Sequence, residues 1–140
     1  MKRLVYLFLI CLSVVSCDLY QSDNGDLDGM WKLQQMDSLQ TNHFKDLSES
    51  NLTYSILTDL LQLRDGKTSI LCRFKHTADS LVVYHPYCRG AEGQAVPLEN
   101  VSLLLPYGIS DLHQAFHIDI LNSGRMVLST HEIRLHFQKY

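Results

Sequence analysis

From Gly29 onward the chain alternates apolar and polar residues, and turn-forming residues interrupt the alternation roughly every eight to twelve positions. A period of two is the signature of strands that bury one face, so the pattern excludes a helical bundle and predicts an antiparallel sheet. In the run Gly29 to Met36, Trp31 and Leu33 share one face, and Lys32 and Gln34 the other. A second run, Leu52 to Arg64, reaches Asp65-Gly66, a dipeptide suited to a tight hairpin, and Lys67 to His76 returns from it. Ser80 to Tyr84 follows the polar break Thr77-Ala78-Asp79. Ala115 to Leu121, Arg125 to Thr130 and Glu132 to Lys139 fill the C-terminal third, with Asn122-Ser123-Gly124 as a turn. Two stretches do not alternate. Ser38 to Ser50 reads as an irregular connection or short helix. Leu98 to Leu105 reads as a short helix started after Pro97 and stopped by Pro106, with a buried strand as the alternative. So many antiparallel strands in one small domain curl and close, because closure removes unpaired edges. The expected fold is all-β, an antiparallel barrel of about eight strands with one or two short helices in connections. A sandwich is the competing layout.

The first residues do not belong to that domain. Met1, Lys2 and Arg3 form a basic end, and Leu4 to Val15 an apolar run too short to span a hydrocarbon core of about 30 Å. This is a secretory leader, and Val14-Val15-Ser16-Cys17 resembles a bacterial lipobox, whose cysteine thiol receives diacylglycerol before cleavage. The expected organisation is a signal peptide over residues 1–16, a lipidated Cys17 with an acidic, turn-rich tether through residue 28, and a barrel domain over residues 29–140. The membrane partner is reached through the N-terminal lipid, and attachment to the outer membrane, on its periplasmic or outer face, is the expected location.

Loss of Cys11 with the leader and acylation of Cys17 leave two of the 4 cysteines, Cys72 and Cys88. In an oxidising compartment one disulfide between them would contribute about 3 kcal/mol, and two separate thiols are the alternative. The chain has 140 residues, 46% hydrophobic and 19% charged, a balance that fits one folded domain and leaves no room for a dinucleotide fold plus a second domain. The formal charge of -3 becomes more negative once Lys2 and Arg3 leave, which excludes nucleic acid as a partner.

Asp28-Gly29-Met30-Trp31 opens the first strand, and Met126 to Thr130 and Ile133 to Tyr140 close the chain. The Gly-x-Trp at that place, with that ending, resembles the lipocalin-like lipoproteins of unknown function found in gut Gram-negative anaerobes. The resemblance implies that Gly29 allows tight backbone packing at the closed end, that Trp31 plugs it, and that a basic residue late in the last strand, Arg134 or Lys139, crosses the indole. The chain is shorter than a full lipocalin, which leaves open whether the interior holds a ligand or is filled by side chains.

Seven histidines invite a metal reading, but the alternation around His113, His117, His131 and His136 imposes strands and denies them a common helix face. His76, His85 and Cys88 read as separate side chains and not as zinc ligands. No Gly-x-Ser-x-Gly elbow and no locally activated cysteine occurs, so no catalytic residue, metal or cofactor is expected. Asp37-Ser38-Leu39 and Asp79-Ser80-Leu81 match a short bacterial O-glycosylation pattern, both near strand ends. The expected function is non-enzymatic binding of a small apolar ligand by inward residues, above all Phe74, Val83, Phe116, Ile118, Leu135 and Phe137, with Leu33, Ile70 and Leu128 beside them. The alternative is a protein-binding module, an inhibitor or envelope-complex accessory, whose filled barrel presents loops 38–50 and 84–98 with Tyr84, His85, Tyr87 and Arg89.

Overall fold

The computed structural model describes residues 22–140, so the leader, the lipobox, Cys17 and the first part of the tether lie outside the described residues. Among the described residues the alternation resolves into strands β1 (Gly29–Ser38), β2 (Phe44–Asp46), β3 (Thr53–Leu57), β4 (Leu60–Arg64) and β5 (Ser69–His76). Then come β6 (Ser80–Arg89), β7 (Ala95–Pro97), β8 (Gln114–Leu121), β9 (Arg125–Ser129) and β10 (Ile133–Lys139). Every pairing is antiparallel. The ladder runs β10-β9-β8-β6-β5-β4-β3-β1, and β1 pairs with β10 to close it into an eight-stranded barrel. In that ring β1 and β6 are diametrically opposite. The two extra strands attach to these same two walls: β2 to the far half of β1, β7 to the far half of β6.

Three bulges set which side chains point inward, one of them in β6, where Leu71 pairs with Tyr87 but Arg73 with Tyr84. In β1 the extra residue falls between Leu33 and Gln35, and in β8 between Ile118 and Ile120. Because the side-chain period in a strand is two, each bulge reverses the parity of the residues beyond it. Ile120, which simple alternation places beside Phe116 and Ile118, therefore faces outward and is 37% exposed.

Three further expectations are corrected. Leu52 to Arg64 is two strands, not one: the chain reverses at Thr58-Asp59, where Thr58 takes φ 58 and Arg73 pairs with Asp59 at 2.8 Å. Ser38 to Ser50 contains no helix; it holds the exposed β2 beside β1. Leu98 to Leu105 does turn helical, but as two separate 3-10 helices, Val101–Leu103 and Leu105–Tyr107, and Pro106 sits inside the second instead of ending the segment. Asn100 caps the first turn by accepting from Ser102 N at 2.9 Å. Gly108 ends the second at φ 80, and a Cβ there would lie 2.6 Å from Leu135 Cδ2, so only glycine fits comfortably.

Candidate functional site

One end of the barrel is closed by the segment before β1. Leu27 and Trp31 are fully buried, and the indole Nε1–H donates to the Leu27 carbonyl at 2.9 Å, so the large apolar ring carries no unpaired donor. Gly29 takes φ 125, and a Cβ on it would lie 2.7 Å from Lys139 Cε. Its emptiness lets the lysine stem pass. Lys139 Nζ sits 4.8 Å from the Trp31 ring centroid and donates to the Asp26 carbonyl at 3.1 Å. Of the two basic candidates, then, Lys139 crosses the plug. Arg134 does not: it faces Asp37, at the other end of β1, and its Nε lies 3.4 Å from Asp119. Asn24 ties the segment down, donating to the Thr58 carbonyl at 2.8 Å and lying 2.9 Å from His76 Nε2.

The interior is packed by the residues expected to line it. Leu33, Ile70, Phe74, Val83, Phe116, Ile118, Leu128, Leu135 and Phe137 all belong to one buried cluster. Tyr54 lies edge-on to Phe137 with centroids 4.7 Å apart. The mouth is filled by residues that periodicity did not single out: Leu104, Tyr107 and Ile109, carried in by the 3-10 segment, are each no more than 2% exposed. Tyr54 Oη donates to the Tyr107 carbonyl at 2.6 Å and latches the segment to β3. Burial, then the charges of Cys72 and Tyr107, push the Tyr54 hydroxyl well above its ordinary pKa. The Tyr107 hydroxyl is buried and has no partner within hydrogen-bonding geometry among the described residues; burial, then the nearby Asp65 charge, push it up to about 12, and the neighbouring Thr68 hydroxyl acts to lower it.

The chemistry-bearing side chains fall outside this core. Cys72 and Cys88 are free thiols, the first buried and the second half-buried, and burial followed by the Cys88 charge pushes Cys72 up to about 12. On the outer wall His117 Nδ1 and Ser129 Oγ both bond the same oxygen of Asp119, at 2.7 and 3.0 Å. The serine thus bonds the acid and not the histidine, so this trio supplies no base to a nucleophile. His136 Nε2 bonds Asp37 at 2.7 Å, and Gln35 donates to the same carboxylate at 2.6 Å. His76 is engaged by Asn24, and His85 packs on Tyr84 at 5.2 Å, so neither joins Cys88. Among the described residues no three His, Cys, Asp or Glu side chains gather as metal ligands.

The β6 wall carries an aromatic and cationic cluster around the half-buried Tyr84. Tyr84 packs against His85 and His113, with Lys75 Nζ 5.3 Å from its ring centroid. His85 adopts φ 49 at the irregularity in the β5–β6 ladder, a strained backbone for a residue with a side chain. Val96 on the neighbouring β7, and Leu103 and Leu105 on the 3-10 segment, are 46%, 55% and 52% exposed. Leu103 and Leu105 flank the buried Leu104, so the segment that fills the mouth also carries an apolar rim. Ser38 and Ser80 stand at the last position of β1 and the first of β6.

A closed antiparallel barrel, stoppered at one end by a Gly-x-Trp strand under a crossing lysine, is a lipocalin-like architecture. The chain belongs to the lipocalin-like domain family, whose sequence model matches residues 10–140. The crystal structure of a lipocalin-like protein from Bacteroides uniformis aligns with TM-score 0.65 at 14% identity, covering 83% of this chain and 100% of that one. An uncharacterized protein from Bacteroides eggerthii aligns with TM-score 0.56 at 13% identity, covering 81% of this chain and 98% of that one. At such identities the likeness establishes the fold. No curated protein matches the chain.

Proposed function

We propose that this protein is a non-enzymatic lipoprotein, anchored to the outer membrane through Cys17, whose barrel is a scaffold for binding another envelope protein. The observation that carries this reading is the interior itself, which the chain's own side chains fill from both ends, Trp31 and Leu27 at one and Leu104, Tyr107 and Ile109 at the other. A scaffold so packed offers its outer surface. The rim formed by Leu103 and Leu105 offers exposed apolar area, and the β6 wall adds the half-buried Tyr84 with Lys75 near its ring, aromatic and cationic types favoured at interface hot spots. It also lies on the mouth side. The segment that enters from the N-terminus lies across the opposite, plugged end, so an anchor at Cys17 would hold the plug toward the lipid and the rim away from it.

A photo-crosslinker placed at Leu103 in the intact envelope is expected to capture one discrete protein, and Leu105→Asp is expected to abolish the adduct. Capture of nothing above background, with small apolar molecules retained in native mass spectra of the purified lipoprotein, would instead support a carrier. One observation favours that second reading: the partnerless Tyr107 hydroxyl would gain a partner if residues 101–109 swung out around a polar-headed apolar ligand. The anchor has its own check, since Cys17→Ser should end palmitate incorporation and release the protein from membranes.

A further inference from the structure

On the wall opposite β6, a groove of about 590 Å³ lies along the outside of β1 and β10, between β2 and the β8–β9 turn. It is independent of the proposed protein-binding rim. The bulge in β1 at Gln34 bends the strand, and β2 continues the sheet beyond the barrel, so the outer face is concave there. At one side stands Phe44, 69% exposed although it is a large apolar ring. Asp46, Arg125, His136 and the amides of Gln34 and Gln138 surround the rest.

The backbone of the floor has nothing to offer a ligand, because β1 and β10 spend their ladder groups on each other, on β9, and on β2 and β3. Recognition must therefore pass through side chains. That argues against an added peptide strand, which needs a free ladder edge longer than the three residues of β2. The side chains offer both signs of charge: Asp46, whose carboxylate accepts from Ser48 N at 2.9 Å, and Arg125, whose guanidinium makes no hydrogen bond or ion pair among the described residues. A net anion would meet Asp46, and a net cation would meet Arg125. The amide pair Gln34 and Gln138, joined at 3.3 Å, keeps a free carbonyl on one partner and a free amino group on the other. His136 spends Nε2 on Asp37 and leaves Nδ1 over.

A neutral ligand that donates and accepts through many closely spaced groups, and that has a C–H face to lay on an aromatic ring, satisfies all of these at once. We propose that this groove binds a short neutral oligosaccharide, with Phe44 as the stacking platform and Asp46, Arg125 and the Gln34–Gln138 pair as the hydroxyl-reading groups.

Isothermal titration of the full, detergent-solubilised chain with neutral glucose, xylose, mannose and galactose trisaccharides, and with a galacturonate trisaccharide, tests this. At least one neutral trisaccharide is expected to bind, with affinity falling about tenfold or more in Phe44→Ala and in Asp46→Asn, while Leu103→Asp leaves it unchanged. Because Phe44 and Asp46 are solvent-exposed, both variants should fold, which a matching circular dichroism spectrum verifies. No binding of any neutral trisaccharide up to about 10 mM, tighter binding of the galacturonate, or full affinity in Phe44→Ala would each overturn the proposal.

Discussion

Lys139 holds the plugged end by two contacts at once, its ammonium above the Trp31 ring and its N–H on the Asp26 carbonyl. Lys139→Met should therefore lower stability by about 0.5–2 kcal/mol in urea titration, whereas Arg134→Met, which loses only a half-exposed ion pair, should cost less than about 1 kcal/mol. The opposite order would mean that the arginine holds the plug. That a late basic residue crosses the indole was implied by the resemblance to lipocalins; which base does so was not legible. The answer depends on register, which sets Trp31 against Lys139 and Asp37 against Arg134, and register needs the bulge at Gln34. Asp37 supplies a pH test. Burial raises its pKa, but the hydrogen bonds from Gln35 and His136 and the charges of His136 and Arg134 outweigh that and leave it below the usual 3.8. A depressed folded pKa stabilises above the unfolded value and is lost as pH falls through the folded one. The stability difference between the natural chain and Asp37→Asn should thus shrink progressively as pH falls below about 4. Cys72, held near pKa 12 by burial, should resist iodoacetamide at pH 8 until the protein unfolds.

Among the elements, the 3-10 segment was the hardest to read. Leu98, Val101 and Leu104 keep a helical spacing, but Pro97 and Pro106 withhold backbone donors, and the tighter turns swing Leu104, Tyr107 and Ile109 inward. Gly108 was the available clue, since a glycine after Pro106-Tyr107 marks a left-handed stop. The Thr58-Asp59 reversal escaped because it uses no glycine, and β2 because a three-residue strand exposed throughout has no buried face to betray it. The long strands were legible because each buries alternate residues in a common core. The two tyrosines at the mouth make opposite predictions. Tyr107→Phe removes a hydroxyl that has no well-formed hydrogen bond among the described residues and should leave stability unchanged or raise it by up to about 1 kcal/mol. Tyr54→Phe breaks the latch to the Tyr107 carbonyl and should lower it by about 0.5–1.5 kcal/mol, both read from urea midpoints.

For the molecule as a whole, closure places the β6 wall and the β1 groove on opposite sides of one packed barrel. Occupying one leaves the other clear, so protein capture at Leu103 should be indifferent to Phe44→Ala, a comparison of crosslinking yields in the two backgrounds. Closure also joins the earliest strand of the barrel to the last one made, with Lys139 reaching across 113 positions to Asp26. A chain still emerging, or clipped before Ile133, has therefore two raw edges, along β9 and β1, and no way to mate them. Until its final residues arrive, such a chain is an open, sticky cylinder, and whatever escorts it must shield both rims at once.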